Sequence, residues 1–314
     1  MDLRQISTFL QVAELGSLSK AAERLRIAQP ALSRQMRLLE QELGVALFTR
    51  HGRGMLLTPP GERLRARAGA ILREIDDTRA ELTAEAGAVR GRVVVGMPPT
   101  VGGVVATRLV ERFLDLYPEV TLRVVLAFSG FLLEWLHGGE ADLAVVYGTT
   151  PPVGVRLSPL LVEPLGFVTR AAAGPAPHHA ISFAEAARAR LILPGPQHGL
   201  RRLVEAAARD AGLSLCVAVE ADDLHIQKDL VRRGRGATIL PPAAVHAEVA
   251  AGALAAAPIV DPPLTRKLML AEPLGRRPSN AALRCAAVLR EEIAAMVAAG
   301  LWQGQLLDGK TIPA

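Results

Sequence analysis

Apolar residues near the start of the chain recur at helical spacing. Leu3, Ile6, Leu10 and Ala13 follow a 3,4,3 rhythm with Phe9 beside them, which predicts an amphipathic helix closed by Gly16. Ser17 is a suitable N-cap for a second short helix over Leu18–Leu25, with Ala21, Ala22 and Leu25 facing inward. After Arg26-Ile27-Ala28, Gln29-Pro30 opens a third helix, with Gln29 as its cap and Gly44 as its stop. Its inward stripe is Leu32, Met36, Leu39 and Leu43. The pattern changes over 45–58, where two short apolar runs flank Arg50-His51-Gly52-Arg53-Gly54, as in a β-hairpin with a basic tip. Three helices and a basic hairpin make a winged helix-turn-helix. Past Pro59-Pro60-Gly61, Leu64, Ala68, Ile71, Ile75, Thr78 and Leu82 are spaced 4,3,4,3,4 along a helix running to about Ala88. That is a heptad seam through which two copies can pair.

From Arg90-Gly91 onward strands and helices alternate. Strands are predicted at 93–96, 121–128, 143–147, near 160–169, and at 191–193, 214–219, 237–240 and 267–271. Helices fall at about 102–116, 130–137, 182–188, 199–211, 223–233, 243–250 and 279–298. Such alternation predicts parallel sheets covered on both faces, and two series of it predict two lobes with a cleft between them. The tail after Trp302 is polar and expected to fray.

Composition sharpens this picture. The chain has 314 residues, enough for two domains, or three if one is small, at ~150 residues each. Half of it is hydrophobic and 21% is charged, which excludes global disorder. The net charge of +5 is unevenly placed: residues 1–67 carry 11 Lys+Arg against 6 Asp+Glu, while residues 68–314 carry 25 of each. A basic head on a neutral body points to a polyanion partner. Two cysteines, Cys216 and Cys285, make neither a disulfide scaffold nor a zinc ribbon and fit reduced thiols in the cytosol. No apolar leader opens the chain and no run approaches the ~20 apolar residues of a membrane span. The expectation is a cytoplasmic, nucleoid-associated protein with no membrane partner.

Over residues 1–60 the chain resembles the DNA-binding domain of LysR-type transcriptional regulators. The matching stretches are Phe9, Ala13-Glu14-Leu15-Gly16-Ser17-Leu18-Ser19-Lys20-Ala21-Ala22-Glu23-Arg24-Leu25, Ala28-Gln29-Pro30-Ala31-Leu32-Ser33-Arg34-Gln35, and Leu38-Leu39-Glu40 through Leu43-Gly44 to Leu47-Phe48-Thr49-Arg50. A looser likeness over 91–300 rests on Tyr117-Pro118-Glu119-Val120, Gly139-Glu140-Ala141-Asp142-Leu143-Ala144, Gly199-Leu200-Arg201 and Gly234-Arg235-Gly236-Ala237-Thr238-Ile239-Leu240-Pro241. Ser129-Gly130 and Asp142-Leu143-Ala144-Val145-Val146-Tyr147 are similar to the nitrogen-assimilation-control branch. The resemblance implies a multi-domain chain: an all-α winged helix-turn-helix at 1–60, a dimerising linker helix at 61–90, and an α/β effector domain at 91–303 like a periplasmic binding protein. Its first lobe would comprise about 91–163 and 267–303, its second about 164–266, with a tail at 304–314.

The third helix must enter the major groove, which fits a helix and distinguishes all four base pairs. Gln29, Ser33, Arg34 and Gln35 are placed to reach base edges from its N-terminal part, and Arg37 one turn on faces phosphate. Lys20, Arg50 and Arg53 are candidates for phosphate or the minor groove, positioning the head rather than reading sequence. Position 28 often carries a hydroxyl in the family, and here it is Ala28. Pairing through the linker would present two heads to a two-fold-symmetric operator. The resemblance implies a homotetramer built from dimers, whereas the seam alone supports self-pairing.

In the family a small metabolite sits between the lobes, where helix N-termini and hydroxyls hold its anionic groups. The resemblance makes Thr100, Ser129, Tyr147, Gln197 and His198 candidates for binding an anionic effector, although Pro98-Pro99 departs from the usual loop. Thr100 and Ser129 can equally be plain helix caps. No cofactor or metal is expected. Enzyme chemistry finds no support: G-x-S-x-G, H-E-x-x-H and C-x-x-C are absent. His178-His179 lies in a Pro/Ala-rich loop without a cysteine nearby. Gly304-Gln305-Leu306-Leu307-Asp308-Gly309-Lys310-Thr311 matches a phosphate-binding loop in letters, but Pro313 follows and no helix can form to receive a phosphate. The competing reading is an enzyme or solute-binding protein carrying an accessory DNA-binding head.

Overall fold

The computed structural model describes residues 1–52, 54–83, 88–148, 150–171 and 179–307. Arg53, the expected end of the long helix at 84–87, His178 and the 308–311 part of the phosphate-loop lookalike lie outside the described residues.

Helix α1 (Leu3–Leu15) opens with a capping box between Asp2 and Gln5 and ends at Gly16, in the left-handed region. Its buried face is Ile6, Phe9 and Val12; Leu3 is exposed, and Leu10 and Ala13 are only half-buried. The stripe is therefore turned from the predicted one. Phe9 decides this, because it packs at 5.2 Å against Phe48 of the following hairpin. Helix α2 (Leu18–Leu25) is capped by Ser17, as predicted. Helix α3 (Gln29–Leu43) is capped at Ala28, not at Gln29, and without a side-chain hydrogen bond. Pro30 needs no N–H partner in the first turn, so the helix takes it at its second position and draws Gln29 in as its first. Leu32, Met36 and Leu39 are buried, whereas Leu43 overhangs the core and is exposed.

Strands β1 (Phe48–His51) and β2 (Gly54–Leu57) form the antiparallel hairpin. Gly54 allows it to dock: at φ +144° an added Cβ would lie 2.4 Å from the Gly16 carbonyl oxygen, which itself accepts from the Met55 N–H at 2.8 Å. Glu40 ties α3 to the hairpin, one carboxylate oxygen accepting from the N–H groups of Leu47 at 2.7 Å and Phe48 at 3.2 Å. Glu40→Ala leaves both N–H groups unserved, and the head should lose about 1–2 kcal/mol of stability. Thermal unfolding followed by far-ultraviolet circular dichroism reads this as a lower first transition; an unchanged transition would show that the tie is slack.

Helix α4 (Pro59–Thr83) divides the predicted seam in two. Ala68 is buried and Leu64 packs on the head core, while Ile71 is exposed and Leu82 is 82% exposed. The first half covers the head, whereas Leu82 near the end of the helix stands out toward solvent.

The rest of the chain runs β3 (Gly91–Met97), α5 (Pro99–Leu116), β4 (Val120–Leu126), α6 (Ser129–His137), β5 (Leu143–Tyr147), β6 (Val155–Pro164), β7 (Gly166–Arg170), β8 (Ile181–Ser182), α7 (Phe183–Arg188), β9 (Leu191–Leu193), α8 (Gly199–Asp210), β10 (Val217–Glu220), α9 (Leu224–Arg232), β11 (Thr238–Leu240), a 3₁₀ turn (Pro242–Val245), α10 (His246–Ala250), β12 (Leu254–Val260), β13 (Thr265–Pro273), α11 (Asn280–Ala298) and β14 (Gln305–Leu306). One sheet has the order β14-β6-β13-β5-β3-β4. The second lobe holds β11-β7-β12-β8 and the pair β10-β9, joined by a bridge between Leu191 and Ala237.

These sheets are mixed, not parallel as the alternation predicts. β3 runs parallel to β4 and β5, but β13 is antiparallel to β5 and β6, and β7 is antiparallel to β11 and β12. The chain leaves the first lobe along β6 and returns along β13, and an outgoing strand laid beside a returning one is antiparallel. The single strand predicted near 160–169 is accordingly two strands, broken at Leu165, whose N–H donates to the Leu264 carbonyl at 2.8 Å. The tail holds to Leu307 instead of fraying: Trp302 is buried and β14 pairs with β6.

Candidate functional site

On α3 the residues Pro30, Arg34, Arg37 and Gln41 recur at helical spacing and are all exposed, opposite the buried Leu32, Met36 and Leu39. Gln29 is exposed beside them and Ser33 is half-buried. Gln35 turns toward α1, where its side-chain oxygen accepts from the Thr8 hydroxyl at 3.5 Å. Lys20 on α2 and Arg50 on β1 are exposed. Among the described residues none of Lys20, Arg34, Arg37 and Arg50 makes an ion pair within the chain, whereas Arg24 is paired with Glu14 at 3.2 Å. A convex helix with free guanidinium groups matches the width and the acceptor pattern of a major groove.

The second site lies where helix starts from both lobes converge. Thr100 is the second residue of α5, behind the Pro98 cap; Ser129 is the first of α6, behind Phe128; and His198 itself caps α8. Neither Thr100 nor Ser129 caps its helix, so capping does not account for them. Their hydroxyls meet at Tyr147: the Thr100 oxygen is 2.8 Å from the Tyr147 hydroxyl, and the Ser129 oxygen accepts from the Tyr147 N–H at 3.1 Å. Across the cleft the ring of His198 stands edge-on to Phe128, 4.5 Å between centres. Among the described residues Gln197 makes no hydrogen bond to this group. It is exposed, and its backbone carbonyl accepts from Arg202 at 3.3 Å.

The structure adds three residues that the sequence reasoning missed. Arg266 on β13 donates through Nη2 to the Thr100 hydroxyl at 3.0 Å, and its guanidinium carbon lies 3.9 Å above the Tyr147 ring. Its Nε donates to Glu163 on β6, at 2.5 Å. The other oxygen of Glu163 accepts from the Trp302 indole at 2.7 Å. Glu163 and Trp302 are each 1% exposed. The signal available was one acid closing the apolar run Leu160-Leu161-Val162-Glu163, since a charge within a buried strand needs a partner. The register that supplies the partner, Glu163 opposite Arg266, appears only in the sheet.

Burial pushes the Tyr147 hydroxyl well above the usual phenol range, against the pull of the Arg266 cation. Burial, then the same cation, brings His198 down to about 4, with Asp222 opposing. The imidazole is therefore neutral at pH 7, as its cap requires: Nδ1 accepts from the Leu200 N–H at 3.0 Å. Below the ordinary histidine value the unfolded chain takes up a proton that the folded one refuses, so His198 removes stability as pH falls from ~6.5 toward 4 and has no such effect above that window. Asparagine can keep the cap without titrating. In melting curves, His198→Asn should therefore lose less stability than the parent between pH 7.5 and 5; equal losses would contradict the neutral cap. Cys285 is pushed up to about 12 by burial and by Asp142, so its thiol stays protonated.

Residues 3–62 match the family described as bacterial regulatory helix-turn-helix protein, lysR family, and residues 86–294 match LysR substrate binding domain. The chain is 30% identical to the HTH-type transcriptional regulator BbuR of Bordetella bronchiseptica over 305 residues, covering 97% of this chain and 93% of that protein. It is 32% identical to the nitrogen assimilation regulatory protein Nac of Klebsiella aerogenes over 248 residues, 78% of this chain and 80% of that one. Its fold is similar to that of a full-length OxyR variant from Pseudomonas aeruginosa, with a TM-score of 0.69, 26% identity, and 93% and 94% of the two chains covered.

Proposed function

The chain belongs to the LysR family of transcriptional regulators, and from that premise we propose which residues do its work. The family pairs a DNA-binding head with an effector-binding domain. In our reading the head is 1–60, the linker 61–90 and the sensor 91–303, with the lobes parting at Leu165 and again between β12 and β13. Arg34 and Gln29 read bases, Ser33 serves a base or a phosphate, and Arg37, Lys20 and Arg50 grip phosphate. A small anion enters at Thr100, Ser129, Tyr147 and His198 and biases how the lobes, and through them the heads, are arranged. The protein catalyses nothing and acts in the cytoplasm on the bacterial nucleoid. The observation that carries this reading is the exposed stripe of Pro30, Arg34, Arg37 and Gln41 on the recognition helix, with both of its arginines unpaired among the described residues.

Two heads are held together through the C-terminal part of α4. Leu82→Arg, at a position 82% exposed in the single chain, should weaken self-association by at least about tenfold while leaving the head folded. Light scattering across a dilution series reads this; an unchanged mass would move the interface elsewhere. The paired heads themselves are tested by selecting bound duplexes from a random pool. The selected sequences should converge on a two-fold-symmetric consensus whose half-sites lie whole helical turns apart, ~10.5 base pairs each. Recovery of an asymmetric site, or of none, would overturn the reading.

A further inference from the structure

The Arg266 side chain is 3% exposed, and its donors are unequally served. Nε has Glu163 and Nη2 has Thr100, but Nη1 is buried with no acceptor among the described residues. A buried guanidinium N–H without an acceptor carries its full desolvation cost. The Ser129 hydroxyl uses a lone pair on the Tyr147 N–H and keeps its own hydrogen to donate. Helices α5, α6 and α8 begin around these groups, each with a partial positive charge at its start. Phe128, next to Ser129, and His198 at the start of α8 meet as a T-shaped ring pair, and His198 lies close enough to Arg266 to feel its charge.

We propose that Arg266 anchors a small monocarboxylic acid with an apolar body: one carboxylate oxygen accepts from Nη1 and the other from the Ser129 hydroxyl, while the body lies against Phe128 and His198. This rests on the reading of the cleft as the effector site and narrows the ligand's class. The charge count decides between one carboxylate and two. Glu163 already balances Arg266, so the helix starts alone support the ligand's negative charge, and they suffice for one. A second carboxylate beside neutral His198 would meet the like charge of Asp222 nearby; Arg202 lies near His198 but extends to the Gln197 carbonyl at the exposed surface. A neutral amide of the same shape would leave the helix starts without their anion.

The test is calorimetric titration of the full chain with benzoate, phenylacetate and butanoate, each matched against its amide and a dicarboxylate of the same skeleton. At least one monocarboxylate should bind at least about tenfold more tightly than both its counterparts, the margin of one charge-assisted contact. Arg266→Lys, which keeps the charge but not the fork, should lose at least about tenfold in affinity. Arg266→Gln combined with Glu163→Gln removes both charges together, so a fold weakened by one unpaired ion cannot imitate the result. A preference for the dicarboxylate or the amide, full binding by either Arg266 variant, or no binding by any monocarboxylate would overturn the proposal. Binding that survives the Arg266 variants but fails in Ser129→Ala would leave the ligand in the cleft and remove only the anchor. DNA binding by the same variants reports on the head, so a failure of the regulator reading would show separately.

Discussion

Alanine at position 163 should cost the C-terminal domain about 3–5 kcal/mol, the penalty for stranding one member of a buried ion pair. Glu163 is the acceptor for both the Arg266 Nε and the Trp302 indole, and all three side chains are closed off from solvent. Removing it leaves a guanidinium buried without its counter-ion and an indole N–H without its partner. The pair as such need not stabilise, because desolvating two ions offsets much of their attraction. Methionine at both 163 and 266 should therefore recover most of what Glu163→Ala loses. Urea unfolding followed by tryptophan fluorescence reports on this domain directly, since Trp135 and Trp302, the two tryptophans of the chain, both pack in the first lobe. A midpoint shift no larger than that of a surface substitution, about 0.5 kcal/mol, would contradict the account.

Arg34→Ala should weaken binding to the selected operator by about 1–3 kcal/mol, roughly 5- to 150-fold, and relax the preference at one base pair in each half-site. Arg34 is exposed and makes no ion pair among the described residues, so its removal leaves the head's melting temperature in place. Arg37→Ala should behave differently. A phosphate contact carries no sequence information, so the loss should be nearly equal on operator and on random duplex. Competition binding with both duplexes separates the two roles. A uniform loss for Arg34→Ala would move it to the backbone, and a sequence-dependent loss for Arg37→Ala would move it to the bases.

The head was legible because its signals are local. Gly16, Ser17, Pro30 and Gly44 punctuate three helices within a few residues of where they begin or end, and helix periodicity supplies the inward faces. The covered face of α1 departs from its periodicity because Phe48, far along the chain, decides which side of Phe9 is covered. In the C-terminal domain β12 carries little strand signal, because Ala255-Ala256-Ala257-Pro258 has none of the β-branched or aromatic residues that mark a strand. The antiparallel return of β13 was hidden because strand direction follows from where the chain crosses between lobes, not from composition. The cleft was half visible for the same reason. Thr100, Ser129 and His198 stand next to helix starts and could be found from short segments. Arg266, Glu163 and Trp302 come together from β13, β6 and the segment before β14, so their partnership depends on sheet register alone.

The measurement that bears most directly on the central claim is the salt dependence of duplex binding by the full chain. A protein that neutralises phosphates releases counterions, with a slope of log Kd against log salt near 0.9 per contact. With Lys20, Arg37 and Arg50 on each of two heads, a slope of at least about 4 is expected on the operator, and Arg37→Ala should lower it by about 1 for each head engaged. A slope near zero, or one indifferent to Arg37, would contradict the assignment of these residues to DNA.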